Sequence, residues 1–383
     1  MFKRYDLAII NRTFWPNGKV LGESLLRFGE LALTKRNKVI VIAQHKPGIL
    51  NKKEEKRKSL SFILRSCTSR SDSSSKLFIR ILDSTVFALW VVYNLLITRP
   101  RIIYVATDPP IIIPFIVLIY SKIFNGSYAY HLQDIHPELT NIVVRINPII
   151  FKFLKSIDAL VIRHAKKIIT ITETMKNEII KRSNCKSNIY LVDNPSFNFK
   201  ETDQIKIKGF IFSGNLGRLQ LVPLLLKSID QYKAKGGTLP FVFNGGGLFS
   251  RETHELSKKY KDVKYLTEIN AQEANKIIST YEWALLPIEG EASRYAFPSK
   301  TSSYLVCGSK ILSISSNQSN IARWVTTNKY GINVIPNIEN IVDTFFKIES
   351  GHSIKVKKID SDNFSINRFV QNIYDIVFDI KNL

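Results

Sequence analysis

The chain has 383 residues, too many for one ordinary hydrophobic core, so two domains of roughly 150–200 residues are expected. An apolar content of 45% is that of a folded globular protein and excludes a low-complexity chain. The formal net charge is +23, and residues 1–200 hold 32 Lys and Arg against 14 Asp and Glu, so most of the excess belongs to the first half. An anionic membrane face or nucleic acid would suit that asymmetry, although a chain rich in Lys, Ile and Asn throughout gains positive charge without any partner. Cys67, Cys185 and Cys307 are far apart and odd in number, which gives no disulfide framework or metal spacing and suits a reducing cytoplasm. No basic-then-apolar leader precedes the first apolar run, so no secretory signal is expected.

In chain order, Tyr5–Asn11 reads as a first strand. The loop Arg12–Gly18 leads into an amphipathic stretch near Leu21–Lys35, and Lys38–Ala43 is a second strand. Asn51–Lys76 is polar, charged and serine-rich, with a dense basic cluster at Asn51–Lys58, and reads as a long surface loop. Ser84–Thr98 and Pro109–Phe124 are apolar but shorter than the ~20 residues that cross a bilayer. Buried helices between strands are expected there, with an in-plane helix on anionic lipid as the alternative. Ile102–Ala106, Ser127–Leu132, Lys167–Thr172 and Asn188–Val192 are further strands, and the runs between them have helical length.

Residues Asn194–Lys206 break the alternation with Pro, Asn and charges, which places a boundary between a domain of residues 1–198 and one of residues 199–363. A second series follows: Phe210–Ser213, Pro240–Asn244, Val263–Leu266, Trp283–Pro287, Lys310–Ile314 and Ile332–Ile335. Apolar residues at helical spacing over Phe364–Ile380 make residues 364–383 a closing helix. The expected class is α/β, with two tandem doubly wound, Rossmann-like domains whose parallel sheets are covered on both faces.

The densest chemistry lies in Trp283–Gly308. An apolar strand ends at Pro287, a polar loop carries Arg294, and Pro298-Ser299-Lys300 opens a helix that Gly308 closes before the next strand. Free N–H groups, a hydroxyl and an ammonium beyond a strand's carboxyl end suit an anion such as a diphosphate. Pro-Ser is also a common helix start with no further role. At the head of the second domain a strand enters Gly214-Asn215-Leu216-Gly217-Arg218, where glycine lets the backbone approach a ligand and Arg218, expected at a helix mouth, can pair with phosphate. The next turn, Asn244-Gly245-Gly246-Gly247, sheds its side chains in the same way; close ligand approach and a plain flexible turn both explain it. In the first domain, the strand ending at Leu132 is followed by Asp134, His136 and Glu138, candidates to orient a hydroxyl or accept its proton. A helix N-cap region is the structural alternative for the last two, and the spacing matches no standard metal site. The loop carrying Asn17, Gly18 and Lys19 also follows a strand end and is expected on the same side.

The stretches IINRTFWPNG, VATDPPIIIP, YHLQDIHPEL, FSGNLGRLQ, FVFNGGG and FPSKTSSYLVCGSKIL together resemble the two-domain bacterial glycosyltransferases of the GT-B fold. Within these the chain is similar to the large family four of retaining, nucleotide-sugar-dependent transferases, and most to the fucosamine-transferase branch of O-antigen and capsule assembly. The resemblance covers nearly the whole chain and implies two Rossmann-like domains with a cleft between them and a closing helix that returns to the first. It implies a nucleotide sugar as co-substrate, no metal or other cofactor, and transfer to a polyprenyl-diphosphate-linked oligosaccharide at the inner face of the cytoplasmic membrane. On this likeness Gly217, Arg218, Ser299 and Lys300 would contact the donor diphosphate, with Gly214, Asn215 and Arg294 also on the donor-binding side. Asn244, Gly245 and Gly246 would lie along the nucleoside. Asp134, His136 and Glu138 would face the transferred sugar or acceptor, with Asn17, Gly18 and Lys19 on the acceptor side. Two departures stand out: Tyr295 and Ser303 occupy positions where relatives carry glutamates, leaving Ser303 itself as the candidate ribose contact, and Gln220 stands where many carry a lysine. A non-hydrolysing sugar-nucleotide epimerase of the same fold is the alternative. A nucleic-acid-binding role rests on charge alone, since no stacking aromatics interleave the basic runs.

Overall fold

Apolar runs without alternation build two parallel sheets. A computed structural model describes residues 4–16, 19–47, 62–71, 77–185, 188–197, 199, 205–267, 269–352, 356–357 and 360–379. The chain divides into two compact units, Met1–Pro195 with Ile366–Leu383, and Ser196–Ser365.

The first unit holds β1 (Leu7–Thr13), β2 (Val39–His45), β3 (Ile63–Thr68), β4 (Ile102–Ala106), β5 (Ser127–His131), β6 (Lys167–Thr170) and β7 (Asn188–Leu191) in the order β3-β2-β1-β4-β5-β6-β7. All described pairings are parallel, and β2 is buried along its whole length, as a strand covered on both faces must be. β3 corrects the expected surface loop over Asn51–Lys76. It pairs with β2 from Ile40↔Ile63 to His45↔Thr68 at the edge of the sheet, and none of its six residues is fully buried. Residues 48–61, with the Asn51–Lys58 cluster, lie outside the described residues.

Helices α1 (Lys19–Thr34), α2 (Leu77–Thr98), α3 (Ile112–Phe124), α4 (Glu138–Val143), α5 (Pro148–His164) and α6 (Glu173–Ser183) connect these strands. α5 starts where a Pro at its first position is preceded by Asn147, whose side chain accepts from Ile149 N. α2 is a second correction. It has 22 residues, and Phe78–Thr98 is long and apolar enough to cross a bilayer by length and composition. It packs along one side on β2, β3 and α3.

The second unit holds β8 (Ile207–Ser213), β9 (Phe241–Asn244), β10 (Val263–Leu266), β11 (Tyr281–Pro287), β12 (Lys310–Ile314) and β13 (Gly331–Val334) in the order β10-β9-β8-β11-β12-β13, again parallel. Its helices are α7 (Val222–Ala234), α8 (Ser250–Lys259), α9 (Ala271–Ser279), α10 (Lys300–Val306), α11 (Asn320–Thr327) and α12 (Ile338–Glu349). An aromatic cluster fastens α7 and α12 to β8 and β9: Phe210 lies 4.9 Å from Phe241 and 4.7 Å from Phe345, and Tyr232 lies 5.5 Å from Phe345. Burying each of these rings stabilises the unit by about 2–3 kcal/mol.

The last helix, α13 (Ile366–Phe378), belongs to the first unit. It packs along α1, with Arg27 Nη1 donating to Asn367 Oδ1 at 3.0 Å and Asn37 Nδ2 to Tyr374 OH at 3.3 Å. Lys167 Nζ then meets Asp379 Oδ1 at 2.6 Å.

Candidate functional site

The two glycine turns of the second unit are zipped together beyond the carboxyl ends of β8 and β9. Gly214 N donates to Asn244 O at 2.8 Å, and Leu216 N to Gly246 O at 2.9 Å, extending the strand pairing into the loops. Glycine is required at 245 because φ is +134° there and a Cβ would collide with the carbonyl oxygen of Gly214. At Gly247 (φ +151°) a Cβ would come within 2.7 Å of Leu216 O. Part of the glycine requirement therefore comes from the neighbouring turn. Gly246 alone of the three has open space around a Cβ. Arg218 does not sit at a helix mouth as expected. It heads a short 3-10 turn, Arg218–Gln220, and α7 begins at Val222. Its side chain is exposed and has no ion pair among the described residues, and Asn215 is exposed too.

Lys300 approaches the same turn from α10. A Cβ at Gly214 would lie 3.5 Å from Lys300 Cδ and 3.7 Å from its Nζ. The side chain as a whole is half-buried, but its Nζ is closed off from solvent, 3.8 Å from the centre of the Phe212 ring, with no hydrogen-bond partner. Burial pushes its pKa down to about 7. Gln220 Oε1 and Asn244 Nδ2 are likewise buried without a partner. Among the described residues, these three are the only such side-chain atoms in the second unit, and all surround the 214–217 turn. Each desolvated, unpaired polar group costs about 1–3 kcal/mol, so three around one turn mark a place built for a polar ligand.

α10 is held in place by Tyr304, whose hydroxyl accepts from Ser213 N at 3.0 Å and also lies 3.3 Å from Leu285 O. Ser299 is exposed just before it. Ser303 Oγ lies 3.1 Å from Ser196 Oγ, so this hydroxyl already has a protein partner. Arg294 is exposed, its guanidinium 5.6 Å from the centre of the Tyr295 ring. Glu289 caps the turn before it, accepting from Ala292 N at 2.7 Å. Phe212, Gln220 and Tyr304 were not among the expected site residues. Phe212 and Tyr304 have no local signal, since buried aromatics in a strand and a helix read as core.

In the first unit the segment after β5 distributes its polar residues among different tasks. His131 is buried, with Nδ1 2.5 Å from Tyr104 OH and the ring tilted at 40° to Phe369, 6.0 Å away, and burial pushes its pKa down to about 3. Glu138 is committed to a buried ion network: Arg182 Nη1 meets it at 2.6 Å, Lys155 lies 3.4 Å away, and the other arm of Arg182 holds Asp158. That corrects its expected acid–base role, because the carboxylate is buried and occupied by Arg182 and Lys155 rather than free to meet a hydroxyl. His136 Nδ1 is 2.7 Å from Thr140 Oγ1, and burial followed by the charge of Arg182 pushes its pKa down to about 4. Asp134 differs from its neighbours. It is half-buried, has no hydrogen bond or ion pair among the described residues, and burial pushes its pKa up to about 6. Asn17 and Gly18 lie outside the described residues, and Lys19 opens α1. No three His, Cys, Asp or Glu side chains among the described residues group as a metal site would need. Replacing Arg182 with Ala should lower stability to urea by about 3–5 kcal/mol, because Glu138 and Asp158 would be left buried and facing each other; far-UV circular dichroism through the denaturation checks this.

No family model matches the chain. The solved structures do: Anabaena HepE in complex with UDP superposes with a TM-score of 0.67 at 14% identity over 98% of this chain and 100% of that one. The chain has the GT-B fold. A lipopolysaccharide outer core galactosyltransferase, WaaB, superposes on this GT-B chain with a TM-score of 0.64 at 16% identity, over 98% and 100% of the two chains. A Listeria monocytogenes protein described as a UDP-N-acetylglucosamine 2-epimerase does so at 0.61 and 9% identity, over 99% and 98%. In sequence, the chain is 22% identical over 257 residues to the probable glycosyltransferase WbjE of Pseudomonas aeruginosa, covering 62% of this chain and 63% of that relative's length. The resemblance to glycosyltransferases is thus present in sequence as well as in fold.

Proposed function

We propose that the chain is a glycosyltransferase that moves a sugar, with retention, from a nucleotide-sugar donor to a growing polyprenyl-diphosphate-linked oligosaccharide in bacterial surface polysaccharide synthesis. It works at the inner face of the cytoplasmic membrane. The observation that carries this reading is the set of unpartnered buried atoms Lys300 Nζ, Gln220 Oε1 and Asn244 Nδ2 around one glycine turn, beside the unpaired Arg218. When the bond from sugar carbon to phosphate oxygen breaks, the leaving nucleoside diphosphate gains charge, and fixed cations near it lower the barrier. Lys300 and Arg218 supply that charge, and the backbone at Gly214 and Gly217 lets the diphosphate approach. Asn244, Gly245 and Gly246 run along the nucleoside. In the first unit, Asp134 is the group suited to take the proton of the acceptor hydroxyl, since its carboxylate is unpartnered among the described residues and burial pushes its pKa up to about 6. The likeness to WbjE supports sugar transfer, and the fold shared with WaaB, a lipopolysaccharide outer core galactosyltransferase, supports surface polysaccharide as the product class.

The epimerase likeness supports a second reading, in which the sugar nucleotide is the substrate and is converted to its epimer without transfer to an acceptor. Incubation with a panel of nucleotide sugars, with and without a polyprenyl-diphosphate-linked acceptor, separates the two. Donor consumption that depends on the acceptor is the expected result. Conversion of the sugar nucleotide at the same rate without acceptor would replace the transferase reading with the epimerase one.

A further inference from the structure

The first unit carries a layer of three adjacent helices, α2 packed on α3 and α3 on α5, whose outer side is apolar. Large hydrophobic side chains stand in solvent along it, among them Phe78 at 75% exposure, Leu89 at 66%, Ile123 at 64% and Phe153 at 64%. Ten of the large exposed hydrophobics among the described residues lie on α2 alone, far more than single scattered surface residues would give. The charges on the layer have one sign. Arg80, Lys122, Arg145 and Lys152 are exposed and form no ion pair among the described residues. The only carboxylates on α2, α3 and α5 are Asp83 and Asp158, 3% and 1% exposed. Both are turned inward, Asp83 accepting from Arg70 N at 2.8 Å and Asp158 held by Arg182.

We infer that this face lies in the surface of an anionic lipid bilayer, with Phe78, Leu89, Ile123 and Phe153 among the acyl chains and Arg80, Lys122, Arg145 and Lys152 at the headgroups. Apolar side chains rimmed by unpaired cations, with no exposed acid, match the two layers of such a surface. A second copy of this chain fits less well, because a self-complementary contact would bring the four cations against their own kind with no carboxylate to pair them. α2 is long enough to span, but one side of it is packed on β2, β3 and α3, which suits a helix lying in the plane of the membrane. The inference rests on the membrane-facing part of the function proposed above and specifies the surface that makes the contact.

Co-sedimentation of the full chain with phosphatidylcholine vesicles, with and without phosphatidylglycerol, tests it. Wild type should bind the anionic vesicles and bind neutral ones less. The double variant Leu89→Glu/Phe153→Glu should bind about tenfold more weakly or worse while keeping the wild-type circular dichroism spectrum. Leu248→Glu, a control at a 60%-exposed position in the second unit, should bind as wild type. No binding by wild type, or equal binding by the double variant, would overturn the proposal. So would vesicle-free dimerisation that the double variant abolishes, which would assign the face to a second copy. Resistance of bound protein to alkaline extraction would overturn the in-plane placement in favour of a spanning α2. Sugar transfer to a detergent-dispersed acceptor, measured in parallel, reads the enzymatic proposal separately and should be the same in the double variant.

Discussion

Replacing Lys300 with Met should lower kcat/KM for sugar transfer by about 10²–10³ and at the same time make the ligand-free protein more stable. The two effects have one cause. The ammonium is closed off from water with only the face of Phe212 beside it, so the folded protein bears a desolvation cost that an isosteric apolar side chain would not. The same cost makes the site avid for an anion that restores the missing partner. The sign of the pH dependence follows. The pKa of Lys300 is about 7 in the folded chain and near its ordinary value of 10.5 when unfolded. Between those values the unfolded chain binds the extra proton, so ligand-free stability rises as pH goes from about 7 toward 10.5. A bound diphosphate raises the Lys300 pKa again, so binding above pH 7 takes up a proton. Titration calorimetry with UDP in buffers of different ionisation enthalpy should show that uptake in wild type and not in Lys300→Met. Unchanged transfer by the variant would remove Lys300 from the site. Arg218→Ala, exposed and unpaired, should lower transfer too, by about 10-fold to 10²-fold, with no change in stability.

Asp134→Asn should lower kcat by about 10²–10⁴ and erase the acid limb of the pH–rate profile. In wild type, activity should fall as pH drops through about 6, where the carboxylate becomes protonated and can no longer accept a proton. Stability runs the other way. The folded pKa is raised above the ordinary 3.8, so the folded state is favoured by protonation and loses stability as pH rises from about 4 to 6. The asparagine variant should therefore be inactive yet more stable than wild type at pH 7, in thermal melts followed by circular dichroism. A fall in both activity and stability would instead give Asp134 a structural role. Glu138, four residues on, separates the two cases: its carboxylate is held by Arg182 and Lys155, and its replacement should damage folding first.

Most of the strand positions were legible because parallel strands buried on both faces read as unbroken apolar runs; Lys310–Ile314, Val263–Leu266 and Ile102–Ala106 are found where those runs lie. β3 was not legible. As an edge strand it buries only one side, and Arg65, Ser66 and Thr68 give it the composition of a loop. α2 was read too short because its first turns, Phe78–Asp83, mix Arg80 and Asp83 with apolar residues, and only packing shows that Asp83 turns inward to the 69–71 loop.

The sequence by itself determined the class of fold, the two series of strands and the three polar turns of the second unit, since these depend on local periodicity and on where glycine and proline interrupt it. Tertiary structure alone decided what each polar residue does. His131, Asp134, His136 and Glu138 fall within eight positions of one another, yet one is core, one is unpartnered with a raised pKa, one is held by a neighbouring hydroxyl and one is locked in an ion network. The physical reason is that a side chain's charge state and availability are set by desolvation and by partners such as Tyr104 and Arg182, which lie 27 and 44 residues away in the chain. The same holds for Lys300, whose chemistry depends on Phe212 and Gly214, some 90 residues before it.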